Sequence, residues 1–327
     1  MKKTKNLRTL LSLLITLGFI FYLFHKREFL LHSLEGIKPG FFILVIIGHV
    51  CVQLSNSFIL RASLQPLDVK LGRFESFKLT TISSFVNFFT PVVGGASAKA
   101  VYLKSRHGLQ YATFASAIYA NYIITFCVSF FLGAVGVFFI HNAIHNHVGL
   151  LLILIFSGGF IASLMFIVFG HLLTSLLLKY SPNNRLIKAF NKKVQSADVG
   201  WKSIRQDKLV VFKVFFWSFV LMFSLMLIYW AATNSLGFKA DIGSYMIFTS
   251  LASVTLLFNF TPGGIGVRET LYSSVYKITG IGVQQVVAFS LIDRAVQLLV
   301  LGIAWILFGN SIVKSIDIKN TQSAGKG

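Results

Sequence analysis

Charged residues are scarce in this 327-residue chain, and acidic ones are the scarcest. Only 12% of the residues are charged, against about 25% in typical soluble domains, and Asp and Glu together number 10. No polar stretch is long enough to form a separate soluble enzyme beside the apolar runs. Because 55% of the residues are hydrophobic, the composition indicates an integral membrane protein.

Recognisable catalytic or metal-binding patterns are also lacking. Cys51 and Cys127 lie in apolar runs without CxxC spacing, so we expect buried, inert thiols. His49 has no acidic neighbour in the sequence and is expected to be packed rather than catalytic. The three histidines between residues 141 and 147 are expected to lie in a solvated loop rather than to bind a metal. With no HExxH, GxSxG or P-loop motif, we predict no enzyme, no catalytic residue, no metal and no cofactor.

The formal net charge of +20 raises the possibility of a nucleic-acid partner. The basic residues, however, cluster in short segments between the apolar runs, as they do in the cytoplasmic loops of membrane proteins. The most basic of these is the loop 179–208. Anionic lipid headgroups are therefore the expected electrostatic partner, and nucleic acid is not.

Long apolar runs predict an all-α polytopic membrane protein with about six full spans. A membrane core of about 30 Å needs roughly 20 helical residues. An interfacial helix is expected over 64–77, and a polar tail follows the last span. The predicted spans are 9–24, 40–60, 111–140, 150–178, 210–232 and 286–308.

Two further apolar segments, 79–89 and 245–260, are too short to span and end alike. The first ends in NFFTP and the second in NFTP, and Gly-Gly follows each proline within a few residues. Proline and glycine break helices, so we predict two broken, re-entrant hairpins and six to eight hydrophobic helices in all. The residues expected to shape the two backbones are Pro91, Gly94, Gly95, Pro262, Gly263, Gly264 and Gly266.

Charge predicts that the two hairpins enter from opposite sides. If both are re-entrant, 23 of the 30 Lys and Arg residues fall on one side and six on the other. This bias favours cytoplasmic termini and an inverted repeat with halves at about 40–140 and 210–310, within a single transmembrane domain over 1–327. If both short segments cross the membrane fully, the orientation of every segment between them is inverted and the basic loop 179–208 lies outside. We prefer re-entrant hairpins because they keep this loop in the cytoplasm.

The last span carries polar residues at helical spacing, among them Asp293 and Arg294. Because adjacent side chains point about 100° apart, we expect Asp293 to pair with Arg268 and Arg294 with Glu269. Such pairs either hold the second hairpin or form a polar pocket for a phosphate or carboxylate headgroup. The candidate substrate-binding residues are Lys99, Arg268, Glu269, Asp293, Arg294, Asn87 and Asn259.

Three stretches resemble one family of membrane proteins. They are residues 87–103 (NFFTPVVGGASAKAVYL), residues 261–269 (TPGGIGVRE) and the pair Asp293 and Arg294. They are similar to the flippase-like family that includes the transmembrane region of lysylphosphatidylglycerol synthases, and the resemblance covers nearly the whole chain. At the first break, residues 96–99 (ASAK) replace a more basic, Arg/Glu-containing version seen in some relatives.

The resemblance implies a multi-pass protein of the cell (inner or plasma) membrane that translocates a phospholipid or lipid-linked anionic headgroup between leaflets. Some relatives also carry a soluble synthase domain, which we expect to be absent here because the chain ends soon after its last predicted span. The alternatives are a membrane enzyme or enzyme subunit of lipid or lipid-linked glycan modification, related to phosphatidylglycerol lysyltransferases, and a scaffold for a separate synthase.

Overall fold

The computed structural model describes residue 28 and the ranges 38–90, 94–140, 143, 146–179, 201–202, 204–256 and 261–324. For 171–179, 262 and 313–324 it describes the backbone alone. The predicted span 9–24 and most of the basic loop 179–208 lie outside the described residues. All regular secondary structure in the described part is helical, as predicted.

The described fold has ten α-helices and two 3₁₀ turns with defined bounds, and residues 201–202 and 204–206 are also helical. In an apolar environment the backbone finds hydrogen-bond partners only within its own segment, so uninterrupted apolar runs form helices. The 3₁₀ turns are Gln65–Leu67 and Pro262–Gly264. The helices are α1 (Pro39–Leu64), α2 (Arg73–Phe89), α3 (Gly94–His107), α4 (Tyr111–Phe138), α5 (His147–Lys179), α6 (Lys208–Ser235), α7 (Ile242–Thr255), α8 (Val267–Ser274), α9 (Tyr276–Thr279) and α10 (Val283–Ala324).

Five of the described helices, α1, α4, α5, α6 and α10, are long and apolar enough to cross a membrane. The chain is therefore a polytopic α-helical membrane protein, as the sequence predicts. In α5 only 11% of the most apolar window is buried against other helices, compared with 56% in α4. Helix α5 thus lies at the periphery and presents most of its surface to lipid.

Helices α1 and α6 form a closely packed antiparallel pair. Phe58 stacks on Trp217 with ring centroids 4.2 Å apart, and at the other end Phe41 meets Trp230 at 5.5 Å. We call the end where α1 finishes and α6 begins the basic end, because most of the described lysines and arginines lie there. The other end is called the opposite end.

Helices α2 and α3 form the first hairpin, which opens at the basic end. In the first turn of α2, the Glu75 carboxylate accepts a hydrogen bond from Tyr102 Oη at 2.8 Å and lies 3.0 Å from His107 Nε2. Both partners belong to α3, so the start of α2 and the end of α3 lie together. The tip between them, at Thr90 and Gly94, therefore lies away from the basic end, and both of these residues are partly buried.

Helices α7 and α8 form the second hairpin, which opens at the opposite end. Near the start of α7, Tyr245 Oη lies 2.8 Å from the Thr233 hydroxyl close to the end of α6. On the return, Tyr272 of α8 packs on Phe248 of α7 with centroids 5.0 Å apart. The two hairpins thus enter from opposite ends, each flanked by long helices, and form the predicted inverted repeat. The exact repeat halves, 40–140 and 210–310, stay a prediction.

The tips of the two hairpins meet. A Cβ atom built on Gly263, in the second tip, would lie 3.5 Å from the carbonyl oxygen of Phe88 in the first. The chain breaks that the sequence marks in two distant places therefore form one region inside the bundle.

The predicted interfacial helix over 64–77 is wrong. After α1 and its 3₁₀ turn, Asp68 adopts a left-handed conformation with φ 57°, which ends the helix. Helix α2 then begins at Arg73, where the Glu75 side chain accepts a hydrogen bond from the Gly72 N–H. At 17 residues, about 26 Å, α2 is longer than the 11-residue segment predicted but is still short for a span.

Two other predicted bounds also differ. Helix α7 ends at Thr255, earlier than predicted, while residues 257–260 lie outside the described part. Helix α10 continues through the polar tail as far as Ala324, because nothing in that stretch interrupts the helical backbone.

Candidate functional site

Glycine shapes both hairpin tips, in two different ways. In the second tip Gly263, Gly264 and Gly266 have φ of 60°, 69° and 81°, a left-handed conformation that other residues adopt only with strain. In the first tip a Cβ on Gly95 would lie 2.0 Å from the Ser83 carbonyl oxygen, so only glycine lets α3 approach α2 this closely.

Three of the predicted tip residues are described incompletely or not at all. Pro91 and Asn259 lie outside the described residues, and Pro262 is described only by its backbone, at the start of the 3₁₀ turn. Gly94 is in place at the start of α3, where a Cβ would lie 1.8 Å from the Thr90 hydroxyl oxygen.

Arg294 holds the backbone of the second tip. Its Nη1 donates to the Gly263 carbonyl at 2.7 Å, and its Nη2 donates to the Gly264 carbonyl at 3.2 Å. Its Nε and Nη2 also bond Glu269 Oε1 at 3.1 and 2.9 Å. All three nitrogens thus have protein partners, and the tip carbonyls gain the donors that lipid lacks.

Glu269 completes this arrangement. Its Oε2 accepts a hydrogen bond from the Gly266 N–H at 2.8 Å, and its Oε1 also accepts one from the Ser290 hydroxyl. The side chains of Glu269 and Arg294 are only 5% and 7% exposed. The predicted pair is therefore present, and it acts as an internal brace of the hairpin.

Asp293 joins three helices. Arg268 Nη1 of α8 donates to its Oδ2 at 2.7 Å, which is the second predicted pair. His49 Nε2 of α1 lies 3.0 Å from Oδ1 and 3.1 Å from the Asp293 carbonyl oxygen. His49 is buried, as expected, and the acidic partner that its sequence neighbourhood lacks is Asp293, 244 residues away in the chain.

A pair of buried tyrosines lies beside these ionic groups and was missed from the sequence. Tyr229 and Tyr272 are hydrogen-bonded through their hydroxyls at 2.8 Å, and both pack on Phe289. Tyr229 comes from an apolar run and Tyr272 from the short polar helix α8, and neither position shows in the sequence that the other is its partner.

A cavity of about 320 Å³ lies between the hairpin tips. Lys99 lines it from the first hairpin, and Arg268 lines it from the second. Neutral polar side chains complete the polar part of the wall, and they come from helices α1, α2, α4, α6, α7 and α10. They include Asn56, Asn87, Asn121, Tyr122 and Gln297.

The two cations at the cavity differ from Arg294 in their hydrogen bonding. Lys99 has no ionic or hydrogen-bond partner within the described part of the chain. Arg268 uses Nη1 for Asp293, whereas its Nε is buried without an acceptor and its Nη2 bonds no described residue. An oxygen-rich anion would satisfy both groups.

The predicted substrate-binding residues thus fall into two groups. Lys99, Arg268 and Asn87 line the cavity. Glu269, Asp293 and Arg294 are absent from the described lining and instead hold the second tip and Arg268. Whether any of these residues binds a substrate stays a prediction.

The sequence model of one protein family, the lysylphosphatidylglycerol synthase TM region, matches residues 9–304. The chain belongs to this family. The match includes both hairpins and every residue that lines the cavity, and membership indicates a membrane protein with a lipid-related function. A search of curated proteins found no match.

Proposed function

We propose that the protein moves the anionic headgroup of a membrane lipid, a phospholipid or a lipid-linked headgroup, between the two leaflets. The observation that carries this proposal is the cavity between the hairpin tips, which Lys99 and Arg268 line with unsatisfied donors. Sites between paired broken segments of inverted repeats are typical of transporters. Phosphate and carboxylate groups are the anions that such donors bind best.

The outer surface near the cavity supports a lipid as the cargo. Tyr122 and Leu256 line the cavity and are 41% and 52% exposed, so the cavity is not sealed at these residues. A wall that is open at these residues allows a headgroup to enter sideways while its acyl chains stay among the bilayer lipids. A water-soluble anion would not need such an opening.

The opposed hairpins suggest how access alternates. Glu75 joins the two helices of the first hairpin at the basic end, whereas Tyr245 ties the start of the second hairpin to α6 at the opposite end. Rocking of one hairpin against the other at the tips would open the cavity to one leaflet at a time. Since the sequence has no P-loop, we propose either an ion gradient as the energy source or passive exchange.

We also propose that the protein lies in the cell membrane with the basic end and both termini in the cytoplasm. Cytoplasmic loops are enriched in Lys and Arg, and that enrichment is found at one end of the bundle. Cysteines introduced at Lys277 and Lys208, after Cys51 and Cys127 are replaced by serine, should react with an impermeant reagent on opposite sides. Labelling from the same side would contradict the topology.

A transporter is favoured over an enzyme by the composition of the cavity wall. Its described lining includes no histidine, cysteine or carboxylate that could act as a nucleophile or general base. Formation of a modified lipid by the purified protein with candidate donors would contradict this proposal.

The decisive test is leaflet exchange of a labelled anionic phospholipid in proteoliposomes. The intact protein should accelerate exchange above the rate in protein-free vesicles, and Arg268→Gln should lose most of that rate because the cavity loses a cation. Lys239→Gln, which changes a lysine in the connection before α7, is the matched control and should keep the full rate. Intact protein with no rate above protein-free vesicles would overturn the function.

A further inference from the structure

We propose that the cavity selects a headgroup with one net negative charge and no cationic group, and that Lys99 sets this selection. This inference rests on the proposed function, for it takes the cavity as the headgroup site. It excludes zwitterionic headgroups and headgroups esterified with a basic amino acid.

The first argument is the balance of buried charges. Arg268 pairs with Asp293 at 2.7 Å, and Arg294 pairs with Glu269 at 2.9 Å, so these four charges cancel. His49 Nε2 faces two oxygens of Asp293 and so has its partner within the network. The two arginines beside the cavity are therefore each balanced by a carboxylate.

Lys99 is left over. It lines the same cavity and has no acidic partner among the described residues, so the cavity wall carries one positive charge. A lone charge in a poorly hydrated site is costly until an opposite charge neutralises it. One phosphodiester supplies one negative charge and thus matches the wall.

The second argument is the surplus of hydrogen-bond donors. Asn87 uses its amide oxygen to accept from the Gly95 N–H at 2.7 Å, and Asn121 uses its own to accept from Ser63. Their NH₂ groups have no partner within the described chain and are left for a ligand, as is Arg268 Nη2. These donors suit phosphate oxygens, which only accept.

A headgroup that carries an ammonium group is disfavoured by both arguments. The described lining offers it no carboxylate, because Asp293 and Glu269 are occupied by Arg268 and Arg294. Its positive charge would instead face Lys99, and like charges in such a site repel strongly. Asn56 and Gln297 can donate or accept and are therefore suited to neutral hydroxyls of the headgroup.

Equilibrium binding in detergent tests the selection without requiring transport. The probes are short-chain phosphatidylglycerol, phosphatidylethanolamine and lysylphosphatidylglycerol, with net charges of about −1, 0 and +1. The full-length protein should bind the first at least about tenfold more tightly than either of the others, as expected for a charge-assisted hydrogen bond. Equal binding, or tighter binding of the lysylated lipid, would overturn the inference.

Variants at Lys99 identify the group responsible. Lys99→Gln should lose the preference, and Lys99→Arg should keep it, which also guards against a misfolded first variant. Lys104→Gln is the matched control, because Lys104 lies on the same helix, is exposed, and is held over the Tyr111 ring. A preference that survives in folded Lys99→Gln would show that another group selects the charge.

Two further outcomes separate this inference from the proposed function. If the lipids bind with the expected order but none crosses the bilayer, the transport proposal fails while the selection stands. Free glycerol 3-phosphate serves as a soluble competitor. Competition as strong as that of the short-chain lipid would mean that the site takes a soluble anion, which overturns the headgroup assignment.

Discussion

The two hairpins share an outline but are stabilised by different interactions. The second is braced at its tip by buried ionic groups, with Arg294 and Glu269 bonded to its own carbonyls and N–H groups. The first is closed by close packing at Gly95 and by Glu75 at its open end, and its Lys99 has no partner among the described residues. At the tips, charge therefore serves structure in the second hairpin, whereas Lys99 of the first is available for a ligand.

Arg268 both holds the structure and faces the cavity. The ionic residues of the TPGGIGVRE stretch therefore need not be assigned to one role alone. One of the Arg268 nitrogens holds Asp293, and another bonds no residue in the described part of the chain and is left for the cavity. The neighbouring arginine of the last helix, Arg294, has every nitrogen bonded within the protein. Two arginines that look alike in the sequence thus have different surroundings.

The largest effect is expected when the brace of the second hairpin is removed. Arg294→Ala leaves Glu269 buried without its partner and two tip carbonyls without donors, which should lower the free energy of unfolding by about 3–5 kcal/mol. Thermal unfolding in detergent, followed by circular dichroism, measures the loss.

Lys277→Ala is the control for this variant, because Lys277 is exposed on the short helix after the same hairpin. It should change stability by no more than about 0.5 kcal/mol. If Arg294→Ala were as stable as this control, the ionic brace would not hold the tip.

An intermediate effect is expected at the packed tip of the first hairpin. Gly95→Ala forces a methyl group against the Ser83 carbonyl and should cost about 1–3 kcal/mol of unfolding free energy. Because the displaced helix carries Lys99, the preference for anionic lipid should weaken as well. The same two assays, unfolding and lipid binding, report both changes.

Gly158→Ala is the control for Gly95→Ala. A Cβ there meets no heavy atom within 4 Å, so neither stability nor lipid preference should fall. Equal behaviour of the two alanine variants would show that α3 has room to shift at the tip.

The smallest effect is expected at the open end of the first hairpin. Burial raises the pKa of Glu75, but hydrogen bonds from His107, Tyr102 and Gly72 outweigh it and hold the pKa below the ordinary 4.5. Such a carboxyl stabilises the folded state above its unfolded pKa, and the contribution is lost as the pH falls through the folded value.

Glu75→Gln should therefore reduce stability at pH 7, by less than about 1 kcal/mol because the site is partly exposed. The difference from the intact protein should disappear as the pH falls below 4.5. Asp241→Asn, at the exposed start of α7, serves as the control in the same pH series. A difference that persists in acid would mean that the charge of Glu75 is not responsible.

Much of the architecture could be predicted from local sequence. Apolar runs place the long helices, and Gly-Pro breaks mark both tips, because hydropathy and backbone preference depend on neighbouring residues. The pairs Arg268–Asp293 and Arg294–Glu269 were also predictable, since few acids are present to partner buried arginines. The start of α2 was not, because a left-handed Asp68 gives no clear signal.

The sequence by itself determined the class of protein, the two breaks and the set of buried charges. Only the tertiary structure decided how those charges are used. Arg294 bonds the backbone of the second tip, His49 contacts Asp293, and Lys99 lines the cavity without a partner among the described residues. The physical reason is that composition and hydropathy act locally along the chain. The partner of a buried polar group depends instead on the depth and rotation of helices distant in sequence.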